Sequence, residues 1–183
     1  MRPVTLATAR LVLDQPSESD IDDITRYCRD PLFETCLTTP WPYERRHAEG
    51  FVRDMAPSGW AADAEYTWAL RRREGGPLFG VIGWRAERSD VGFWLGADHR
   101  RQGFMAEALS GLVEWLFARD VPVIRWECLV GNAASAATAR SAGFRYTGEA
   151  PVDAPARDGS RPPGWHAELT PIGPRMPRPG WPI

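Results

Sequence analysis

Lysine is missing altogether: every one of the 22 basic residues among 183 is arginine. Such a bias fits genomic base composition, and it leaves no side-chain amine in the chain to be acylated. Cysteine is scarce. Cys28, Cys36 and Cys128 are odd in number and stand at no metal-binding or redox spacing, so neither a disulfide framework nor a bound metal is expected. Excess charge is lacking too. A formal net charge of −2 and a pI near 5.9 give no electrostatic footing for nucleic acid or an anionic membrane. No apolar run approaches the roughly 20 residues of a membrane span. The start, Met1-Arg2-Pro3-Val4-Thr5-Leu6, has no signal-peptide core. A cytoplasmic protein that engages neither membrane nor nucleic acid is the expectation.

The length fits one domain with a proper core. Leu11-Val12-Leu13 reads as a strand. Pro16 to Asp20 supply helix-starting residues, and Ile21, Ile24 and Cys28 make one helical face before Pro31. Pro40-Trp41-Pro42-Tyr43 is a rigid connector into a helix over Glu44–Met55. Tyr66 to Arg72 alternates as a half-buried strand, Glu74-Gly75-Gly76-Pro77 turns the chain, and Leu78 to Trp84 returns it. Residues 89–95 form the next strand. A helix over Gly103–Arg119 carries an apolar stripe of Leu109, Leu112, Val113, Leu116 and Phe117. Then follow a strand over Val123–Val130, a helix over Asn132–Ala142, a strand over Phe144–Gly148, a loop over 151–164 and a closing strand over Trp165–Leu169. Residues 1–170 make the domain; 171–183 are a Pro-rich tail without regular structure. The order of elements implies a mixed α/β architecture.

Two elements carry chemistry. In the first, the strand Asp90-Val91-Gly92-Phe93-Trp94-Leu95 runs into the basic loop Arg100-Arg101-Gln102-Gly103, which opens onto a helix at Phe104-Met105-Ala106. That layout aims free backbone N–H groups and a positive helix end at an anion, most simply a phosphate. No Gly-Lys-Ser/Thr follows, and the glycines of a dinucleotide fingerprint are missing. The second element reads Asn132-Ala133-Ala134-Ser135, then Ala142-Gly143-Phe144. Alone, Asn-x-x-Ser is an ordinary capped helix start.

Together the two resemble the acyl-coenzyme A signature of the GNAT N-acetyltransferases, specifically the RimJ/RimL-like branch that acetylates ribosomal-protein N-termini. The resemblance runs in order from Leu11 to Leu169. It implies an α/β fold with a mixed, mostly antiparallel central sheet flanked by helices, whose central strands splay apart. It also implies acetyl-CoA (coenzyme A) as acyl-donor cosubstrate, without metal. The family motif Arg/Gln-x-x-Gly-x-Gly/Ala falls on Arg100, Gly103 and Met105, the last departing from the small-residue rule. By the same resemblance, residues 100–106 wrap the pyrophosphate, and the backbone of Phe93, Trp94 and Leu95 bonds the pantetheine arm between the splayed strands. Asn132 then holds the pantetheine, and Ser135 lies near the thioester sulfur. Arg140 reaches the adenosine phosphate or stays at the surface.

The implied reaction is attack of a neutral primary amine on the thioester carbonyl, with coenzyme A leaving. It needs a donor for the developing oxyanion and a way for the amine to lose a proton. The backbone N–H near Leu95 is the family's oxyanion donor. Many relatives carry a Tyr acid on the last helix; its slot here is Ala139, which leaves Ser135 to protonate or merely hydrogen-bond the leaving sulfur. Glu127 is the first candidate base, ahead of Asp90, Glu65 and His166. Cys128 invites an acyl-enzyme, but direct transfer is simpler. On the acceptor side Trp41, Tyr43 and Trp84 are the expected wall, with Trp60 in a neighbouring loop. The acceptor's identity stays open. A homodimer through residues 36–60 or the closing strand is compatible with the resemblance. A longer acyl donor such as succinyl-CoA and a non-catalytic CoA-binding sensor are the alternatives.

Overall fold

The computed structural model describes residues 1–173 and 175–183. Strands β1 (Leu6–Ala7), β2 (Leu11–Asp14), β3 (Glu65–Arg72), β4 (Gly80–Arg85), β5 (Asp90–Leu95), β6 (Ile124–Leu129), β7 (Arg145–Pro151) and β8 (Pro163–Leu169) share one sheet, in the spatial order β1-β2-β3-β4-β5-β6-β8-β7. Every neighbouring pair is antiparallel except β5 with β6. That parallel pair is short. Only Asp90 with Arg125 and Val91 with Trp126 are in register, after which the strands part. The fork so formed is the splay that the sequence led us to expect.

The register below the fork lines up Glu65, Arg85, Asp90, Arg125, Glu168 and Arg145 as successive cross-strand partners from β3 to β7. Acid and base alternate along the row, so each residue faces opposite charge on its neighbouring strands. Its centre is Asp90, 4% exposed, whose carboxylate accepts from Arg85 Nε at 2.8 Å and Nη2 at 2.6 Å. Burial works against the Arg85 cation, but the Asp90 carboxylate outweighs it and holds the guanidinium above its usual pKa. Asp90 is thereby an ion-pair partner rather than a base.

Among the described residues six α-helices flank the sheet: α1 (Ile21–Tyr27), α2 (Leu32–Cys36), α3 (Arg45–Gly50), α4 (Ala56–Ala61), α5 (Phe104–Phe117) and α6 (Ala133–Ser141). The short strand β1 and helix α2 were not foreseen. Helix α1 starts where expected, with Ser17 and Asp20 capping each other. Asp20 also takes two 2.7 Å bonds from Arg71, joining the helix start to β3. The helix expected to end at Met55 continues instead. A π-type turn over Phe51–Met55 carries α3 into α4, and the Ala56 N–H reaches back to the Phe51 carbonyl. The wide turn lies directly before Pro57, whose ring does not tolerate ordinary helical spacing.

The continuation places Trp60 on a helix, fully buried, with its indole N–H on the Thr67 carbonyl at 3.1 Å. It packs with Tyr66, Trp68 and Trp115 in an aromatic cluster between sheet and helices. Trp60 is core, not acceptor wall. On α5, Leu109, Leu112, Val113 and Leu116 are buried as the stripe demands. Residues 175–183 carry neither helix nor strand, yet they are not a free tail. Trp181 is buried against Trp126 and Tyr146, and Arg175 lies over the Phe117 ring. Large apolar rings find cover even where proline forbids regular structure. Among the described residues no helix is long and apolar enough to cross a membrane, and no cluster of His, Cys, Asp or Glu is fit to hold a metal ion.

Candidate active site

A cavity of about 1060 Å³ follows the fork. One end is lined by Arg100, Arg101, Gly103, Phe104, Met105 and Ala106, its flank by α6, and its far end by the loop after β7, with α2 between them, its Phe33 ring 5.3 Å from the Arg100 guanidinium. At the first end the chain reaches α5 through two left-handed residues, Arg101 at φ 61° and Gly103 at φ 77°. Glycine suits the second, since a side chain there would be strained. The first bond closing α5 runs from Glu107 N to Gly103 O at 3.0 Å, so the amides of Phe104, Met105 and Ala106 have no helical carbonyl to meet. They are presented to the cavity at the positive end of the helix. The Phe104 and Met105 side chains are 2% and 5% exposed. Met105 therefore offers the cavity its backbone and sends its bulk into the core, which is why a large residue is tolerated in that slot.

The other loop residues divide. Arg101 is exposed and lines the cavity. Gln102 is outside the lining; its amide folds back onto the Asp98 carbonyl at 3.0 Å, and its own carbonyl accepts from Arg10 Nη1 at 3.1 Å. Arg100 lines the cavity but its guanidinium is committed, to Asp30 Oδ2 at 2.6 Å and to the Leu95 carbonyl at 3.1 Å. It ties the turn before α2 to the end of β5, and it is not a free phosphate hook.

Along β5 the register decides which amides are available. Gly96 N donates to Phe79 O at 2.9 Å on the β4 side, so by strand alternation Trp94 also faces β4, and Phe93 and Leu95 face the opened β6 side. An extended ligand in the fork meets the backbone of Phe93 and Leu95. The expectation for Trp94 is corrected: its backbone pairs opposite Val81, while its ring packs on Tyr27 and Phe33.

Asn132 caps α6, its Oδ1 accepting from Ser135 N at 3.2 Å. That leaves the Asn132 NH₂ and the Ser135 side chain on the cavity. Ser135 Oγ accepts from the Trp126 indole at 3.2 Å, so the serine hydrogen is left to donate elsewhere. Around it the α6 face is small, with Ala133, Ala134, Ala137, Thr138 and Ser141. Arg140 is not part of that face.

At the far end, Glu127 is occupied as well. Its carboxylate accepts from Asp153 N at 2.7 Å and Ala154 N at 2.9 Å, with His166 Nδ1 at 3.8 Å. The sequence offered it as a base; the structure shows that it also anchors the loop after β7. Further along that loop, Arg157 crosses to the end of α2. There it donates to the carbonyls of Phe33 at 2.9 Å, Glu34 at 2.5 Å, Leu37 at 2.8 Å and Thr39 at 2.5 Å. Sequence reasoning missed Arg157, and no local motif marks it. It also missed Trp126.

Cys128 lines the cavity, but burial pushes its thiol up to about 12. A thiol held in its protonated form is a poor nucleophile, which counts against an acyl-enzyme at Cys128. The three expected acceptor aromatics lie elsewhere. Tyr43 is buried against His47, Trp84 stacks on Tyr66 in the core, and Trp41 is outside the cavity lining. A smaller recess of about 310 Å³ adjoins at Trp126 and Glu127 and includes Thr147, Glu149, Asp153 and His166.

The acetyltransferase (GNAT) domain model matches residues 10–145. No curated protein sequence matches the chain. Among solved structures, it is similar to a protein from Vibrio cholerae described as a ribosomal-protein-serine acetyltransferase, at 22% identity over 92% of this chain and 98% of that one, TM-score 0.79. It is similar to RimL, ribosomal L7/L12 alpha-N-protein acetyltransferase in complex with coenzyme A, at 18% identity over 91% and 98%, TM-score 0.77. RimJ of Mycobacterium smegmatis, in complex with CoA-disulfide, matches at 16% identity over 93% and 90%, TM-score 0.79. The fork, the cradle of helix-start amides and the small-residue flank of α6 fit a long, phosphate-bearing thioester. The chain belongs to the GNAT acetyltransferase family and is an acetyl-CoA-dependent N-acetyltransferase.

Proposed function

We propose that the acceptor is the α-amine of a peptide or another weakly basic primary amine, acetylated by direct attack on the thioester. The observation that carries this reading is the state of the carboxylate at the fork: Glu127 already holds two amides. A peptide α-amine has a pKa of about 7.7–8.0 and is partly neutral near pH 7, whereas a lysine amine near 10.4 needs a strong base. A site whose central carboxylate is engaged suits the first. The RimL and V. cholerae structures are themselves named for ribosomal proteins, which supports a peptide N-terminus.

In this reading acetyl-CoA supplies the activated acetyl group. The amides of Phe104, Met105 and Ala106 hold its pyrophosphate with Arg101 beside them, and Phe93 and Leu95 hold the arm. The Leu95 N–H meets the developing oxyanion, and the Ser135 hydroxyl donates to the departing sulfur. Arg157 and Glu127 keep the acceptor wall in place.

Thiol release from acetyl-CoA tests the proposal against N-terminal peptides with blocked lysines, polyamines, amino acids and aminoglycosides. Release that depends on the peptides supports it. Release only with polyamines or aminoglycosides overturns the α-amine reading. Acceptor-independent thermal stabilisation by the donor, with no release at all, overturns direct acetyl transfer and favours a longer acyl donor.

A further inference from the structure

We propose that Trp126 is a positioning residue for the transfer, its indole N–H fixing Ser135 Oγ so that the serine hydrogen is directed to the departing sulfur, and that the C-terminal segment backs it through Trp181. The inference rests on the reading of Ser135 given above.

Trp126 stands at the vertex of the fork. Its backbone is paired with Val91 on β5 and with Ala167 on β8, the last register position before the strands part. The side chain is 2% exposed and borders the cavity. Held at both flanks of its strand, it has little freedom to swing. A buried indole N–H needs an acceptor, and Trp126 Nε1 finds Ser135 Oγ at 3.2 Å.

That bond has two consequences for the serine. A hydroxyl in the first turn of a helix otherwise rotates among staggered positions or turns back to its own backbone. With the indole on one lone pair and Asn132 Oδ1 holding the Ser135 amide at 3.2 Å, the Oγ is fixed and its hydrogen points away from the indole. A donor on Oγ also polarises the O–H and strengthens what it can give. Serine is a weak acid, and this is the structural means by which it becomes a serviceable donor to a thiolate. No proton need leave Oγ: the C–N bond forms, the C–S bond breaks with its electron pair going to sulfur, the O–H donates a hydrogen bond to that sulfur, and the proton shed by the attacking nitrogen passes to water.

Behind the indole lies the C-terminal segment. The Trp181 ring sits 5.5 Å from Trp126 at 56° and 5.6 Å from Tyr146. Trp181 is 8% exposed and does not line the cavity. A segment that forms neither strand nor helix thus closes the rear of the serine's support.

The test is a double-mutant cycle on Trp126→Phe and Ser135→Ala, reading kcat and the acetyl-CoA KM by thiol release, and the unfolding midpoint of each protein. Phe keeps the ring and loses the N–H. We expect W126F to lower kcat about fivefold at unchanged KM, S135A to lower it at least as much, and W126F to add nothing in the S135A background. The midpoints should couple too, since removing both partners leaves no orphaned N–H. Trp181→Ala should lower kcat in the same direction, again only when Ser135 is present, and it carries the test if W126F does not fold. Normal kcat in W126F beside a loss in S135A overturns the inference, as does an equal loss from W126F with and without Ser135. Normal kcat in S135A overturns the underlying reading of the serine.

Discussion

At the donor end of the cavity the groups offered to a ligand are main-chain amides of consecutive residues, set out by one loop and one helix start. At the end where we propose the acceptor enters, the wall is two segments that lie 118 residues apart at their Arg157 to Thr39 contact, joined by side chains reaching to backbone carbonyls and amides. The first end is local and nearly independent of side-chain identity. The second is assembled by tertiary contact and depends on individual side chains. Damage at one end should therefore leave the other intact, and three experiments probe that separation.

Gly103→Pro should have the largest effect. The position sits at φ 77°, which proline's fixed φ near −65° does not permit, and an amide is lost as well. Acetyl-CoA affinity should fall by about 100-fold or more, and the unfolding midpoint should fall as well because the start of α5 has to shift; calorimetric titration of the folded variant reads the affinity. Normal affinity in a folded variant would break the assignment of the donor end. Arg157→Ala comes next. It removes the Arg157 bonds to the carbonyls of Phe33, Glu34, Leu37 and Thr39, so the KM for the acceptor should rise about fivefold while the acetyl-CoA KM holds. A matching rise in both would erase the distinction between the ends.

The smallest effect concerns the joint between them, where Asp30 meets Arg100. Burial opposes the Asp30 charge, but the Leu32 amide and Arg100 outweigh it and hold the carboxyl below its usual range. A depressed carboxyl stabilises the fold fully above its unfolded pKa, and that contribution is lost as pH falls through the lower folded value. Wild type should exceed Asp30→Asn in unfolding midpoint near neutrality. The gap should begin to close below about pH 4. A gap that persists unchanged into acid would show that the ion pair contributes nothing.

The same contrast explains what could be read from the sequence. The strand, loop and helix around Gly103 are contiguous, so the turn chemistry and the apolar stripe of α5 marked an anion-binding helix start directly, and the family resemblance named its ligand. Asn132 and Ser135 were legible because one helix turn places them together. Trp41, Tyr43 and Trp84 were misplaced because aromatic residues announce burial, not which cavity they border; two of them are core. Glu127 was found but its hold on the loop after β7 was not, since the two amides belong to residues 26 and 27 positions away. Arg157 and Trp126 carry no pattern at all. Their roles exist only once the loop after β7 and the turn of α6 have come to rest beside them.

The alternating row of charges from Glu65 to Arg145 has a consequence for distance. A slip of β5 against β6 by one residue would set Asp90 beside an uncharged neighbour and turn every side chain to the opposite face, so the row fixes where the two strands stop pairing. From that point at Val91 to the amide of Leu95 the chain advances about 13 Å at strand spacing, and the helix-start amides lie beyond. The salt row is thus a ruler: it sets how far from the closed end of the fork the Leu95 amide stands, and so how much room is left there once the reactive end of a ligand arm rests on that amide and its anionic end on α5.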